Sequence, residues 1–189
     1  VYGEGMAILA GDGLLNLAFE MMANAAETPA HIAAMRRVAR ASGAEGMVGG
    51  QCVDLTCEAN GIGGAQEIVY IDLHKTADLF IGAVTAGLHI AGASEEQLEA
   101  GRQYAETLGV AFQIRDDLLD IEGDAGALGK ATGMDAARGK LTWPGVFGVE
   151  AAREAVRSKT QVALASLEAF GGGGAFLREM ALYLLERDR

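Results

Sequence analysis

Proline is nearly absent from this chain, and that absence constrains the fold more than any other feature of the sequence. Only Pro29 and Pro144 occur among its 189 residues. Proline breaks the interior of a helix, and apolar residues recur through the proline-free stretches with the spacing of amphipathic helices. This spacing predicts helices at residues 3–26, 30–42, 45–59, 65–91, 94–121, 149–170 and 175–187. With no strand pattern and no interdomain linker, the sequence predicts a single all-α domain over residues 1–189.

Individual residues mark helix ends and close helix contacts. Ser94 can cap the helix that follows it and Gln97 can return the bond, as in a capping box. The four glycines at 171–174 are expected to end one helix and let the chain turn into the last. Three more glycines inside apolar helical stretches are expected to let neighbouring helices approach closely: Gly82, Gly87 and Gly109.

Charge and apolar content narrow the class of protein. A formal net charge of −11 argues against a nucleic-acid partner, since phosphate backbones are bound by clustered Lys and Arg. The longest apolar run, Leu79–Ala93, is shorter than the ~20 residues that span a bilayer, so we expect a buried core helix and no stable membrane insertion. Cys52 and Cys57 lack a zinc-ligand pattern and are expected to be reduced core thiols. Without a targeting signal, a cytoplasmic location is expected.

The stretch FQIRDDLLD at residues 112–120 places three carboxylates in an otherwise apolar helix. Asp116 and Asp120 are four residues apart and share one face, with Asp117 beside them. Converging carboxylates repel one another unless a cation lies between them, and Mg²⁺ takes oxygen ligands while bridging to phosphate. An acidic patch on a solvated helix gives the same pattern, but the apolar context favours the metal because an unpaired buried charge is costly.

Lys75 and Thr76 interrupt a second apolar helix, in the stretch LHKTADLF. A lysine in such a setting needs an anion, and a neighbouring hydroxyl can donate a hydrogen bond to a phosphate oxygen. The alternative interpretation is that Lys75 pairs with a nearby carboxylate, either Asp72 or Asp78.

Further polar residues extend this pattern. Gln113 precedes Asp116 by three residues and lies on about the same helix face. Gln51 and Asp54 form another polar pair on an apolar helix, where Asp54 is expected to be a satisfied core group.

A long loop, Glu122–Pro144, follows the aspartates and carries Lys130, Arg138 and Lys140 among glycines. Loops longer than about 12–15 residues are commonly functional, although exposed lysines are also ordinary surface charge. Taken together, the carboxylates, the Lys-Thr pair and the lysine-bearing loop predict a site for a magnesium-bound diphosphate. Magnesium and the lysines would supply the local positive charge that the chain as a whole lacks.

The sequence resembles the trans-prenyltransferases, or polyprenyl diphosphate synthases, and is most similar to bacterial short-chain farnesyl and geranylgeranyl diphosphate synthases. The stretches that carry the resemblance cover nearly the whole chain in the family's order: YGEGMAILAGDGLL, GMVGGQCVDL, LHKTADLF, GVAFQIRDDLLD and LGKATGMDAARGKLTWPGVFGVE. The resemblance implies an isoprenoid synthase-type helical bundle that condenses isopentenyl diphosphate with an allylic diphosphate, with farnesyl as the expected product length.

The resemblance also implies roles for individual residues. Asp116, Asp117 and Asp120 match the second aspartate-rich motif, which holds Mg²⁺ against the allylic diphosphate, with a less direct role for Asp117. The residues that match groups binding the diphosphate are Lys75, Thr76, Gln113 and Lys130. Lys75 and Asp116 are the expected catalytic residues, because Lys75 supplies positive charge to the departing diphosphate and Asp116 holds the Mg²⁺ that does the same. Gln51 and Asp54 receive only a supporting role.

The family's first aspartate-rich motif, its arginine pair and its isopentenyl diphosphate ligands have no match here. The chain is therefore expected to be the C-terminal two-thirds of an enzyme and inactive alone. A homodimer is expected, with the apolar helix near Leu14–Met22 as a possible interface. The alternatives are a geranylgeranyl synthase, a non-catalytic prenyltransferase-like subunit and a terpene cyclase. The Lys-Thr pair and the lysine-bearing loop weigh against the terpene cyclase.

Overall fold

The computed structural model describes residues 1–122 and 139–186, and all the regular elements in these ranges are helices. In chain order they are α1 (Glu4–Asn24), α2 (Pro29–Ser42), α3 (Met47–Asn60), α4 (Ala65–Ile71), α5 (Asp78–Ile90), α6 (Glu95–Glu122), α7 (Trp143–Phe147), α8 (Val149–Ser166) and α9 (Ala175–Glu186). A π-helical turn, Asp72–Ala77, joins α4 to α5, and a 3-10 segment, Leu167–Gly174, joins α8 to α9. The predicted all-α class is confirmed.

Most of the predicted helix bounds lie within a few residues of those observed, and the exceptions have local causes. The predicted helix 65–91 contains the π-helical turn, which the apolar spacing did not indicate. The helix predicted at 149–170 ends earlier, because α8 changes to 3-10 geometry at Leu167. The chain then turns within the glycine run at Gly171, where φ is 51°. The last part of the predicted loop is helical, since α7 begins at Trp143. Ser94 and Gln97 form the predicted capping box, with bonds of 3.1 and 3.2 Å.

The long helix α6 lies at the centre of the molecule and packs between α5 with its π-helical turn on one side and α8 on the other. Its C-terminal half contributes Ile114 and Leu118 to an apolar cluster with Ala77 and Val156. Its N-terminal half contributes Tyr104 and Leu108 to a second cluster, whose other buried members are Ala105, Ala163, Leu167 and Ala181. Both clusters are held by one continuous helix, so the position of α6 fixes the arrangement of its neighbours.

Close backbone approach at two of the three predicted glycines is confirmed. A Cβ atom at Gly82 would lie 2.6 Å from the Cβ of Ala41, and one at Gly109 would lie 2.6 Å from the Cα of Ala77. The expectation was wrong for Gly87, where a Cβ would meet nothing within 4 Å. Gly109 therefore lets α6 approach the π-helical turn more closely than any residue with a side chain allows.

The helix α1 is the least buried long element, and none of its residues is buried. Within the residues that the structure describes, it is the one helix long and apolar enough to cross a bilayer. Core helices and signal sequences share that length and composition, so these properties alone do not assign a membrane span. The run Leu79–Ala93, expected to be a buried core helix, is only partly buried, since Leu79 and Ile90 are exposed.

The two cysteines differ in environment. Cys57 is buried, and its pKa is raised by burial and by the nearby carboxylates of Glu67 and Asp54. Cys52 is exposed. The prediction of two core thiols was therefore wrong for Cys52, because the two positions lie on different faces of α3.

Candidate active site

The π-helical turn Asp72–Ala77 carries Lys75 and Thr76 and is clamped between two glycines. A Cβ at Gly50 of α3 would lie 2.2 Å from the backbone nitrogen of Lys75, and one at Gly109 of α6 would lie 2.6 Å from the Cα of Ala77. π-helical turns occur frequently at functional sites, so this geometry is consistent with the functional role predicted for the Lys-Thr pair. The clamp fixes the backbone from which both side chains project.

The ammonium group of Lys75 pairs with the carboxylate of Asp54 on α3, at 2.5 Å between Nζ and Oδ2. The Asp54 side chain is only 5% exposed, whereas that of Lys75 is 28% exposed. The alternative partners named from the sequence were wrong, because Asp78 accepts a hydrogen bond from His74 and Asp72 has no hydrogen-bond partner in the described residues. The carboxylate nearest in space therefore comes from a helix that is distant in sequence.

A chain of hydrogen bonds runs from Thr76 across α6. The Thr76 hydroxyl donates to Oε1 of Gln113 at 2.8 Å, and the Gln113 amide donates to Oδ1 of Asp117 at 3.0 Å. The backbone N–H of Trp143, the first residue of α7, donates to Oδ2 of Asp117 at 2.9 Å. The structure thus brings together three residues predicted for the site and joins the π-helical turn, α6 and α7 through them.

Lys140 also belongs to this group of residues, although the sequence interpretation left it as possible surface charge. Its ammonium nitrogen lies 3.9 Å from Oδ1 of Asp117, and its side chain is 20% exposed. The sequence offered one indication of this contact: Lys140 lies only three residues before Trp143. Lys130, predicted to bind diphosphate, lies outside the described residues.

The other aspartates of the predicted motif occupy the last two turns of α6. Asp120 is buried and Asp116 is partly buried. Within residues 1–122 and 139–186, no three His, Cys, Asp or Glu side chains are grouped closely enough to hold a metal ion by themselves. A magnesium ion bound through one or two carboxylates and completed by phosphate oxygens and water does not require such a group.

Asp72 adds an unpaired buried carboxyl group to this region. The residue is 1% exposed, and neither of its carboxyl oxygens has a hydrogen-bond partner among the described residues. The pKa of Asp72 is raised to about 8, chiefly by burial and also by the nearby charge of Asp117, against the opposing effects of Lys140 and Lys159. The sequence interpretation considered Asp72 only as a partner for Lys75, because burial by packed helices cannot be read from local spacing.

Comparison with known proteins identifies the family. A family model described as polyprenyl synthetase matches residues 1–169. The chain belongs to the polyprenyl synthetase family. The resemblance carried by the sequence motifs is therefore confirmed.

Individual members of the polyprenyl synthetase family align over most of this chain. The heterodimeric geranylgeranyl pyrophosphate synthase large subunit 2 of Arabidopsis thaliana is 40% identical over 173 residues, which cover 90% of this chain and 46% of that protein. The chain spans about half the length of the curated relatives it matches.

Solved structures of family members share the helical architecture. An FPP/GFPP synthase from Zymomonas mobilis is 33% identical, with a TM-score of 0.82 over 94% of this chain and 60% of that one. A geranyltransferase from Helicobacter pylori, solved with magnesium and isoprenyl diphosphate, is 26% identical, with a TM-score of 0.80 over 97% of this chain and 60% of that one. The predicted isoprenoid synthase-type bundle is confirmed.

Proposed function

We propose that the protein acts in prenyl transfer, in which an allylic diphosphate ionises and its carbocation alkylates the double bond of isopentenyl diphosphate. The observation that carries this proposal is the hydrogen-bond chain from Thr76, the neighbour of Lys75, through Gln113 to Asp117 in the aspartate-bearing end of α6. These groups offer an ammonium, a hydroxyl and an amide beside a set of carboxylates. That combination suits an anionic leaving group held by both the protein and a metal ion.

Each polar side chain has a chemical task in this proposal. Lys75, held in place by Asp54, supplies positive charge to the departing diphosphate. The Thr76 hydroxyl and the Gln113 amide already bond to each other and are oriented by Asp117, so they are ordered before a ligand binds. Lys140 lies against the same carboxylate and brings a second cation to this region.

The donor set fits magnesium, which is bound by oxygen ligands. Asp116 and Asp120 are the residues that would hold it, with partly buried and buried carboxylates one helical turn apart. When bound, the ion neutralises charge on the phosphate oxygens. Asp117 was also predicted as a ligand, but its two oxygens accept hydrogen bonds from Gln113 and Trp143. We therefore propose that Asp117 chiefly organises the site.

The chain length of the prenyl product has two candidates. Farnesyl diphosphate is our prediction from the sequence resemblance. Geranylgeranyl diphosphate is the second candidate, because several plant relatives are named geranylgeranyl pyrophosphate synthases. Those relatives are also named as chloroplastic, so a cytoplasmic location remains a prediction for this chain.

A second copy of the chain is the partner that we propose for α1. Leu14 and Met21 are 68% and 64% exposed, and Leu15 and Leu17 are exposed beside them. An apolar surface of this extent marks an interaction site. Two relatives are named as large subunits of heterodimers, so an assembly with a different subunit is the alternative. Sedimentation of the wild type against a Leu14→Glu/Leu17→Glu variant tests this, with loss of the dimer in the variant as the expected outcome.

The site itself is tested by titrating geranyl diphosphate into the purified protein with and without Mg²⁺. We expect binding that depends on Mg²⁺ and that falls at least tenfold in Asp116→Ala. The matched control is Glu96→Ala, which removes an exposed carboxylate from the first turn of the same helix and leaves binding unchanged. Equal binding by the wild type and Asp116→Ala, both folded by circular dichroism, would remove Asp116 from the site.

Turnover is measured with radiolabelled isopentenyl diphosphate on the protein as the cell produces it, together with its intact mass. Mg²⁺-dependent formation of a prenyl product supports the proposed reaction, and the chain length of that product decides between farnesyl and geranylgeranyl synthesis. A folded protein that binds geranyl diphosphate but forms no product would instead favour the non-catalytic subunit.

A further inference from the structure

A cavity of about 190 Å³ lies between the last turns of α6 and the first half of α8, and three arginines line it. The lining consists of Arg115, Leu118, Arg153, Val156 and Arg157. The whole chain has 15 basic and 26 acidic residues. Three guanidinium groups around one small cavity are therefore unexpected from the composition.

Helical spacing explains how the cavity is built. Arg115 and Leu118 are three residues apart on α6, whereas Arg153, Val156 and Arg157 are three and four apart on α8, so each set shares one face. Leu118 and Val156 are buried members of the apolar cluster between the two helices. They form a floor that fixes the separation of α6 and α8, and the arginines extend from this floor to the solvent side.

Among the residues that the structure describes, the carboxylates that pair with these arginines do not line the cavity. The ion pairs are those of Arg153 with Glu122 and Glu150, of Arg157 with Glu154 and, at 3.9 Å, of Arg115 with Glu122. The Arg157 and Glu154 side chains are 56% and 70% exposed. Ion pairs between side chains this exposed contribute little to stability. A ligand with stronger negative charge can therefore compete with Glu154 for the Arg157 guanidinium group at little cost.

A second cavity shows why the lining matters. It measures about 230 Å³, lies between α2, α5 and α6, and also contains three arginines. Its lining includes the carboxylates of Glu45, Asp78 and Glu106 as well, so the two signs of charge are mixed within the cavity wall. In the α6–α8 cavity, the charged residues of the described lining are all arginines.

We propose that the α6–α8 cavity binds a small free oxyanion of the phosphate class, either inorganic phosphate or diphosphate. Planar guanidinium groups bind such oxygens in bidentate fashion and hold them more specifically than ammonium groups do. The cavity is smaller than the roughly 300–1,000 Å³ of pockets for drug-sized ligands, so a free anion fits better than a prenyl or nucleotide ester. Bound there, the anion would join α8 to the segment of α6 that carries Asp116.

The test is calorimetric titration of diphosphate, and separately of phosphate, into the protein in EDTA, so that no magnesium-dependent binding contributes. We expect the Arg153→Gln/Arg157→Gln variant to lose at least tenfold in affinity. Both arginines are on the surface, and circular dichroism would verify that the variant keeps its helical content. The matched control is Arg36→Gln/Arg178→Gln, which makes the same change of charge at exposed positions outside the cavity and leaves the affinity unchanged.

Three outcomes would overturn this proposal. Unchanged affinity in Arg153→Gln/Arg157→Gln would exclude the cavity, and an equal loss in both double variants would mean unspecific attraction to surface charge. Loss of binding in Lys140→Gln with the arginines intact would place the anion in the candidate active site instead. Because these titrations contain no magnesium and no prenyl substrate, their result is independent of the proposed prenyl transfer.

Discussion

The two halves of α6 have opposite surroundings. Around its N-terminal half, Tyr104 and Leu108 are fully buried in an apolar cluster, and the Tyr104 hydroxyl donates to the carbonyl of Leu177 at 2.7 Å. Around its C-terminal half, the buried side chains include the carboxyl groups of Asp54, Asp72 and Asp117. All the buried side-chain polar atoms without a hydrogen bond in the described residues belong to Asp54 and Asp72.

This difference indicates that one half of α6 stabilises the fold and the other half carries the candidate site. The apolar half satisfies its polar groups within the chain and has the character of a core that only stabilises. The other half keeps carboxyl groups in buried positions, where they are costly and are tolerated by natural proteins mainly at functional sites. Four substitutions separate the two halves experimentally, beginning with the largest effect that we expect.

Leu108→Ala is expected to lower the free energy of unfolding by about 3–4 kcal/mol, because it removes a fully buried side chain and leaves a cavity in the apolar half. Ile121→Ala on the same helix is the control, since Ile121 is 51% exposed and should cost far less. Urea unfolding of both variants measures the difference. An equal cost at the two positions would mean that the apolar half does not carry the stability assigned to it.

Lys75→Met is expected to cost about 2–3 kcal/mol, because it leaves the buried Asp54 carboxylate without its partner. Adding Asp54→Asn removes the orphaned charge and should recover most of that loss. Binding of geranyl diphosphate should stay weak in the double variant, since the ammonium group is still missing. If the double variant is no more stable than Lys75→Met, the ion pair does not govern stability in this half.

Tyr104→Phe is expected to cost about 1–2 kcal/mol, since it leaves the carbonyl of Leu177 without the hydroxyl that donates to it. Thermal unfolding measures this loss, and Tyr183→Phe is the control because Tyr183 is 69% exposed. Diphosphate binding should not change in either variant. A loss of binding with unchanged stability in Tyr104→Phe would show that the two halves of α6 are coupled.

Asp72→Asn is expected to change how stability depends on pH. Burial raises the pKa of Asp72 from 3.8 to about 8, so between these values the folded chain holds a proton that the unfolded chain has lost. This residue's contribution to stability therefore falls as pH rises through that range, by at most about 1.4 kcal/mol per pH unit. Asp72→Asn should flatten that slope, whereas Asp12→Asn on the exposed helix α1 should keep it. If the wild type and both variants show the same dependence of stability on pH, Asp72 is not the group responsible for it.

The sequence predicted the helices and the local groupings well, because both depend on spacing along the chain. Gln113 precedes Asp116 and Asp117 by about one helical turn, so their proximity follows from helix geometry. The pair of Lys75 with Asp54 depends instead on the packing of α3 against the π-helical turn, which Gly50 permits. No pattern within a single helix contains that information.

Two further features escaped prediction for related reasons. The burial of Asp72 results from elements that meet in space, so local polarity gave no sign of it. The role of Lys140 became visible only when α7 placed the segment before it against Asp117. What the sequence could not provide was the contact between distant elements, and that contact determines which charged groups face one another.

The π-helical turn also has a consequence for how α4 and α5 share one continuous helical path. Each residue of an α-helix rotates the chain by about 100°, so a wider turn changes the phase between the helix before it and the helix after it. The segment before the turn packs against α3, and the segment after it packs against α2 and α6. Asp72–Ala77 therefore sets the rotation of α5 about its axis relative to α4, so that each helix presents the correct face to its own neighbours. Deletion of one residue there would rotate α5 relative to α4 without breaking the helix.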